Sequence, residues 1–161
     1  MALKEKILSK EQLQHWRQQV RDEGRTLVVT NGCFDLLHAG HVTYLDEAKQ
    51  QGDLLLLGLN SDRSVRELKG PSRPVNSEGD RATVMAALES VNAVHIFDET
   101  TALQFLKQVE PDVYVKGGDY TIDTINQEER AAVENAGGRI VILGVLEGRS
   151  TTNTLKKLGS E

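Results

Sequence analysis

The sequence has little of what marks secreted, membrane or nucleic-acid-binding proteins. Among its 161 residues Cys33 is the only cysteine, so an internal disulfide is excluded and a secreted disulfide scaffold is not indicated. No apolar run approaches the roughly 20 residues that a membrane span needs. The N-terminus has no hydrophobic signal core. We therefore expect a cytoplasmic protein that does not interact with a membrane.

Positive charge is also scarce. There are 19 lysines and arginines against 24 aspartates and glutamates, and the net charge is −5. This balance, without a block of basic residues, argues against a nucleic-acid groove but allows a local basic pocket for a small phosphate. The motifs G-x-x-x-x-G-K-[ST] and G-x-G-x-x-G are absent, which excludes a P-loop protein and a dinucleotide dehydrogenase of the usual kind.

The sequence does contain a regular alternation of apolar segments and amphipathic helical patterns. Strands are predicted at 27–30, 54–59, 91–97, 113–115 and 140–143, each followed by a helical segment. This order predicts an α/β fold: a single doubly wound, Rossmann-like domain with a five-stranded parallel sheet. We assign residues 1–161 to that one domain and residues 1–24 to an N-terminal helical extension of it.

Polar or glycine-rich segments follow four of the predicted strands, at 31–41, 60–62, 116–119 and 148–152. Parallel strands end at one edge of the sheet, and ligands of open α/β sheets bind in the crevice there. The four segments are therefore expected to form one site.

The segment His-Ala-Gly-His at 38–41 places two histidines and a glycine where a strand has ended and a helix begins. Imidazole N–H groups and the first N–H groups of a helix can bind a phosphate. The histidines could instead be ordinary loop and cap residues, or bind zinc with Asp35 or Cys33. No downstream pair of cysteines or histidines completes a zinc site. Cys33 as a nucleophile lacks an identified base.

Cations and hydroxyls stand in the other segments. Lys69 and Arg73 lie in or beside a proline-flanked loop, and Lys116 begins a glycine-rich strand end. Ser150, Thr151 and Thr152 lie at a predicted helix start, where hydroxyls and free N–H groups converge. Together these groups predict a pocket for a phosphorylated ligand.

The ordered motifs resemble the HxGH nucleotidyltransferase superfamily through Gly-Cys-Phe-Asp at 32–35, the histidine motif and Ser-Thr-Thr at 150–152. Asn-Ser-Asp, Leu-Lys-Gly, Ser-Arg-Pro-Val-Asn and Lys-Gly-Gly-Asp-Tyr, beginning at 60, 68, 72 and 116, narrow the resemblance to heptose 1-phosphate adenylyltransferases, which make ADP-heptose. The resemblance covers about Thr26 to Leu158. In many bacteria that activity is fused to a sugar kinase, whereas a free-standing transferase is expected here.

Departures from the glycerol-phosphate cytidylyltransferases of the same superfamily affect the choice of substrate. Those enzymes carry RYVDEV where this chain has Glu-Ser-Val-Asn-Ala-Val at 89–94. Val145 and Arg149 replace an arginine and an isoleucine of their RTxGISTT motif. These changes argue against CTP and glycerol phosphate and leave the role of Arg149 open.

The resemblance implies transfer of AMP from ATP to heptose 1-phosphate by in-line attack, with Mg²⁺ bridging ATP oxygens and taking few protein ligands. It implies catalytic roles for His38, His41 and Lys69, and sugar-phosphate binding by Asp35, Asn60 and Arg73. The residues implied to bind the nucleotide are Asn31, Gly32, Cys33, Phe34, Gly40, Lys116, Gly117, Gly118, Asp119, Ser150, Thr151 and Thr152.

Two other functions stay open at this point. One is a cytidylyltransferase for a polyol phosphate such as glycerol 3-phosphate, and the other is a non-catalytic nucleotide-binding module. The expected partners are small molecules and not nucleic acid. The residues do not fix the oligomer, although members of the superfamily are commonly dimers and a homodimer could use the N-terminal helix.

Overall fold

Parallel strands form the centre of the protein, whose computed structural model describes residues 2–144, 155 and 157–159. Within these residues the strands are β1 Leu27–Gly32, β2 Leu54–Asn60, β3 Ala93–Phe97, β4 Val113–Gly117 and β5 Arg139–Leu143. The helices between and before them are α1 Leu3–Lys6, α2 Lys10–Asp22, α3 Ala39–Lys49, α4 Asp62–Lys69, α5 Glu78–Ala86, α6 Leu103–Val109 and α7 Gln127–Asn135. The predicted alternation of strands and helices is confirmed as far as β5, and the helix predicted after β5 lies largely outside the described residues.

The sheet separates two apolar layers because successive side chains of a strand point to opposite faces. Leu27 and Val29 of β1 pack in the layer beneath α2, α6 and α7. Val28 packs in the opposite layer, beneath α3 and α5. Every residue of β2 is buried, as expected for a central parallel strand covered on both faces.

The strand order is β3-β2-β1-β4-β5, and all neighbouring pairs are parallel. From β1 the chain first builds outward through β2 and β3, and then returns to place β4 on the other side of β1. A doubly wound sheet opens its ligand crevice at this reversal, between the carboxyl ends of β1 and β4. The predicted fold class, with a five-stranded parallel sheet, is confirmed.

The N-terminal segment packs against the edge of the sheet. Ile7 forms a parallel bridge with Val94 of β3, and the Lys6 ammonium donates to the carbonyls of Ala86 and Val91. Ser9 caps α2 and forms a capping box with Gln12. These contacts cover an edge strand that would otherwise expose unpaired backbone groups.

Every strand differs from its predicted range by one or two residues at one end; β1 and β2 continue to Gly32 and Asn60, and β5 begins at Arg139. The third strand begins at Ala93 and not at Val91, because the Val91 N–H bonds back to Leu88 and belongs to the turn after α5. The fourth strand continues through Lys116 to Gly117, which pairs with Leu143. Among the described residues no helix is long and apolar enough to cross a bilayer.

Candidate active site

The turn from β1 into α3 holds the two histidines in a fixed arrangement. His38 is the N-cap of α3, and its Nδ1 accepts the Gly40 N–H at 3.1 Å. Nδ1 of His41 accepts the His38 N–H at 3.3 Å, which completes a reciprocal cap of the kind that Ser and Glu form elsewhere. Because each Nδ1 accepts a hydrogen bond, the proton of each neutral ring lies on Nε2. The turn therefore offers two Nε2–H donors.

The imidazole rings of His38 and His41 stack on each other, with centroids 3.8 Å apart and an interplanar angle of 23°. Burial, and then the neighbouring His38, lower the pKa of His41 to about 4. His41 is therefore neutral near pH 7, and it can donate to a phosphate oxygen without first carrying a charge.

Phe34 supports this histidine from the other side. Its ring meets His41 edge-on at a centroid distance of 5.2 Å, and its backbone has the uncommon positive φ of 45°. A side chain at position 32 would place its Cβ 2.8 Å from the Phe34 ring, so Gly32 leaves the room that the ring occupies. Two residues predicted to bind the nucleotide thus also orient His41.

Asp35 anchors the loop between α4 and α5. Its buried carboxylate accepts Arg73 Nε at 2.7 Å and the backbone N–H groups of Val75 and Asn76 at 2.9 and 3.0 Å. Burial alone would raise the pKa of Asp35, but these hydrogen bonds, together with the charge of Arg73, lower it. The structure thus brings Asp35 and Arg73 together, and their predicted contact with the sugar phosphate stays a prediction.

Arg81 is the residue that sequence reasoning missed. It is 2% exposed; its Nη1 donates to the carbonyls of Cys33 and Asn60, both at 2.8 Å, and its Nε donates to Asn76. Nη2 pairs with Asp62 at 2.8 Å. The signal was available, because Arg81 precedes the buried Met85 by one helical turn on the inner face of α5. Arg81 ties the ends of β1 and β2 to the loop.

Burial and nearby positive charge act in opposite directions on the Cys33 thiol. Burial raises the pKa of its thiol, while Lys69, Arg81 and Arg73, in that order, lower it. The net rise keeps the thiol protonated, which gives no support to a nucleophilic role. The same contributions show that Lys69, the last residue of α4, and Arg73 lie close enough to Cys33 to act on its charge.

The end of β4 adds a further cation. The Lys116 ammonium lies 5.6 Å from the Tyr114 ring centroid and 5.4 Å from that of Tyr120, within the range of cation–π attraction. Gly117 packs against Tyr44. Gly118 has a φ of 101°, which glycine adopts readily. Asp119 follows in the exposed segment that leads away from β4.

Two parts of the predicted site remain, Asn60 and the predicted residues near the C-terminus. Asn60 is buried, and its Nδ2 donates to Ser64 at 2.8 Å, so its amide supports the start of α4. Ser150, Thr151, Thr152, Val145 and Arg149 lie outside the described residues. Within 2–144 and the short described part of the C-terminus, no group of three or more His, Cys, Asp or Glu side chains is placed to hold a metal ion.

Comparison with known proteins adds relatives to this geometry. The sequence model of a family described as cytidylyltransferase-like matches residues 29–153. The bifunctional protein HldE of Methylobacillus flagellatus is 55% identical over 92% of this chain and 29% of its own length. HldE of Syntrophotalea carbinolica is 50% identical over 95% of this chain and 31% of its own length. The chain thus spans about three-tenths of the curated relatives that it matches.

Solved structures agree on the fold. The crystal structure of a lipopolysaccharide core biosynthesis protein from Thermoplasma volcanium has a TM-score of 0.62 at 27% identity, covering 76% of this chain and 98% of that one. Pantoate-β-alanine ligase from Francisella tularensis has a TM-score of 0.59 at 11% identity, covering 96% and 79%; it supports the fold alone. On the strength of the match to residues 29–153 and of relatives half identical in sequence, the chain belongs to the cytidylyltransferase-like family.

Proposed function

We propose that the chain transfers AMP from ATP to heptose 1-phosphate, giving ADP-heptose and pyrophosphate. The observation that carries the proposal is the stacked pair His38 and His41 at the start of α3, with both Nδ1 atoms occupied by backbone N–H groups. Relatives named bifunctional protein HldE and the lipopolysaccharide core biosynthesis protein support a role in heptose chemistry.

In this mechanism an oxygen of the sugar phosphate attacks the α-phosphorus of ATP in line. The new O–P bond forms as the bond from the α-phosphorus to the bridging oxygen breaks, and pyrophosphate leaves with that electron pair. The attacking oxygen is already anionic, so no general base is needed. The protein then contributes by positioning the reactants and stabilising charge on the transferring group.

The named side chains divide this work by their chemistry. His38 and His41 donate from Nε2 to oxygens of the α- and β-phosphates, and both are aligned before substrate arrives. Lys69 neutralises the triphosphate or the incoming sugar phosphate. Arg73, whose Nε is committed to Asp35, has no hydrogen-bond acceptor for its Nη atoms among the described residues, so these can bind the sugar phosphate. Lys116 serves the nucleotide.

Mg²⁺ belongs to the proposal as the ion that accompanies ATP and offsets its negative charge. Asp35 follows β1 and Asp62 follows β2. Each carboxylate is paired with an arginine, Asp35 with Arg73 and Asp62 with Arg81, so neither is expected to be a ligand of Mg²⁺. ATP oxygens and water, which Mg²⁺ prefers in such sites, would therefore hold it.

ATP is proposed over CTP because this chain departs at 89–94 and at Val145 from the glycerol-phosphate cytidylyltransferases that it otherwise resembles. The same proposal places the protein in the cytoplasm as a homodimer that does not bind nucleic acid. Light scattering during size-exclusion chromatography measures the molar mass of the protein and so tests the homodimer.

The test is pyrophosphate release with ATP, CTP or GTP, each with the α or β anomer of heptose 1-phosphate and with glycerol 3-phosphate. We expect release with ATP and one heptose anomer, and none without sugar phosphate. Turnover of CTP with glycerol 3-phosphate would make the chain a polyol-phosphate cytidylyltransferase. Nucleotide binding without turnover on any acceptor would make it a binding module.

A further inference from the structure

Glu129 is a buried carboxylate that the mechanism above does not use. It lies in the first turn of α7 and is 6% exposed. An ionised side chain is seldom buried to this extent without a partner that compensates its lost hydration. Its partner is the Tyr114 hydroxyl, 2.9 Å from Glu129 Oε1.

Tyr114 extends this contact to the candidate site. Its single hydroxyl proton is shared between two acceptors, Glu129 Oε1 and, at 2.6 Å, Asn31 Oδ1, so one phenolic group joins α7 to the carboxyl end of β1. Burial, and then the charge of Glu129, raise the pKa of Tyr114 well above its ordinary value. The phenol therefore keeps its proton and stays a hydrogen-bond donor at every pH at which the protein would work.

The contact determines which end of the Asn31 amide is available. Oδ1 is held by Tyr114, whereas Nδ2 has no acceptor among the described residues. Asn31 is partly exposed and lies beside Gly32, at the point where β1 and β4 open the crevice. The amide thus offers a donor there, suited to an oxygen or a ring nitrogen of a nucleotide.

Lys116 is the second group that Glu129 influences. Burial lowers the pKa of Lys116, and Glu129 raises it. The other titratable groups that face this end of β4 are Tyr114 and Tyr120, whose rings flank the ammonium, and Tyr44 of α3, which packs on Gly117 and whose pKa is raised to about 12. Burial raises the pKa of Tyr114 and of Tyr44, so both phenols keep their protons. Among the described residues Glu129 therefore supplies the negative charge that raises the pKa of Lys116.

We propose that Glu129 is a positioning residue for nucleotide binding, which fixes the Asn31 amide through Tyr114 and supports the positive charge of Lys116. The inference rests on the proposed function in assuming that the ligand is a nucleotide. It does not depend on the sugar. Asn31 and Lys116 touch the nucleotide in this account, and Tyr114 and Glu129 act through them.

Calorimetric binding of ATP at about pH 7 and about pH 9.5, below the ordinary pKa of lysine, tests both effects. Tyr114→Phe removes the hydroxyl but not the Glu129 carboxyl group, so we expect about 10-fold weaker binding at both pH values. Glu129→Gln keeps the shape and removes the charge, so Lys116 loses its proton at lower pH. Its binding should be near the wild-type value at the lower pH and about threefold to 10-fold weaker at the higher. Glu128→Gln, an exposed neighbour on α7, is the matched control.

A double-mutant cycle protects the test against a change in folding. Asn31→Ala alters a partly exposed side chain, and we expect it to weaken binding as much as Tyr114→Phe does. The double variant should show no further loss of affinity, because both changes break the same relay, the contacts from Glu129 through Tyr114 to Asn31. Additive losses, or equal pH dependence of wild type and Glu129→Gln, would overturn the inference even if both proteins bind ATP.

The experiment distinguishes failure of this inference from failure of the proposed function. If wild type prefers CTP, the same variants are compared with CTP, and the choice of ATP fails while the relay is still tested. Wild type that binds none of ATP, CTP or GTP overturns both. Thermal unfolding of each variant shows whether a binding change reflects the site, since a purely structural role would lower the melting temperature without a pH-dependent change in affinity.

Discussion

The turn between β1 and α3 and the loop between α4 and α5 flank the same crevice, but they are held in opposite ways. In the turn, the bonds that orient His38 and His41 join residues two or three positions apart. In the loop, the bonds from Arg73 to Asp35 and from Arg81 to Cys33 join residues 38 and 48 positions apart. The turn is built by the start of one helix, whereas the loop is built only when the sheet is assembled.

The two regions should therefore respond differently to substitution. A change in the histidine pair removes donors from a helix start whose backbone bonds remain, so chemistry should suffer without loss of the fold. A change in the Asp35 and Arg81 contacts leaves a buried charge or buried carbonyls without partners, so stability should suffer together with activity.

The largest effect expected on the turn side is that of His41→Ala. It removes one Nε2–H donor, and we expect turnover to fall by about 100-fold to 1,000-fold, as for loss of an oxyanion donor. The measurement is initial-rate pyrophosphate release, with circular dichroism to confirm the fold. His15→Ala, at an exposed position of α2, should keep wild-type turnover. Wild-type turnover in His41→Ala would remove the histidine pair from the mechanism.

On the loop side Asp35→Asn should show the reverse balance. The amide is a poorer partner for Arg73 and for two backbone donors, and breaking a buried pair in this way destabilises by about 3 kcal/mol. The penalty should be present near pH 7 and shrink below about pH 3.8, because folding lowers the pKa of Asp35 and its contribution is lost once it is protonated. Urea unfolding measures it, with the exposed Asp98→Asn as control. Unchanged stability would mean that Asp35 does not anchor the loop.

Arg81→Lys tests the loop more selectively, because the positive charge stays and only the branched set of donors is lost. We expect a loss of about 2 kcal/mol in unfolding free energy from the unsatisfied carbonyls of Cys33 and Asn60. The KM for sugar phosphate should rise with a smaller change in kcat, since Arg81 positions the loop without touching substrate. Arg63→Lys, at an exposed position of α4, should be neutral. An equal loss in both variants would assign the effect to a general preference for arginine.

The same contrast explains what could be predicted from the sequence. The alternation of strands and helices could be predicted because β2 is one uninterrupted apolar run and because Ser9 and Ser77 mark helix starts. The histidine turn could be predicted because the residues that form it lie within a few consecutive positions of the sequence. The convergence of polar strand ends followed from parallel topology alone.

Arg81 and the burial of Asp35 were not accessible in this way. The spacing of Arg81 from Met85 places its side chain on the inner face of α5, but no local pattern shows which segments the guanidinium joins, because its partners are set by the strand order. The second use of Phe34, as support for His41, depends on a backbone φ of 45° that no sequence pattern announces. Long-range contacts of this kind have to be seen in the assembled fold.

The smallest effect expected is a pH dependence confined to the turn. His41 takes up a proton at about pH 4 in the folded chain and near pH 6.5 in the unfolded chain, so its contribution to stability is full above about pH 6.5 and falls as the pH drops towards 4. Urea unfolding at about pH 7 and about pH 5 should therefore show a smaller loss of unfolding free energy at the lower pH (the acid loss) in His41→Asn than in wild type, whereas His15→Asn should match wild type.

If the two regions are energetically separate, Asp35→Asn keeps the wild-type acid loss over this interval, because Asp35 is ionised throughout it. A changed acid loss in Asp35→Asn would show instead that the loop sets the environment of the histidines, and the contrast between local and long-range construction would not extend to their electrostatics.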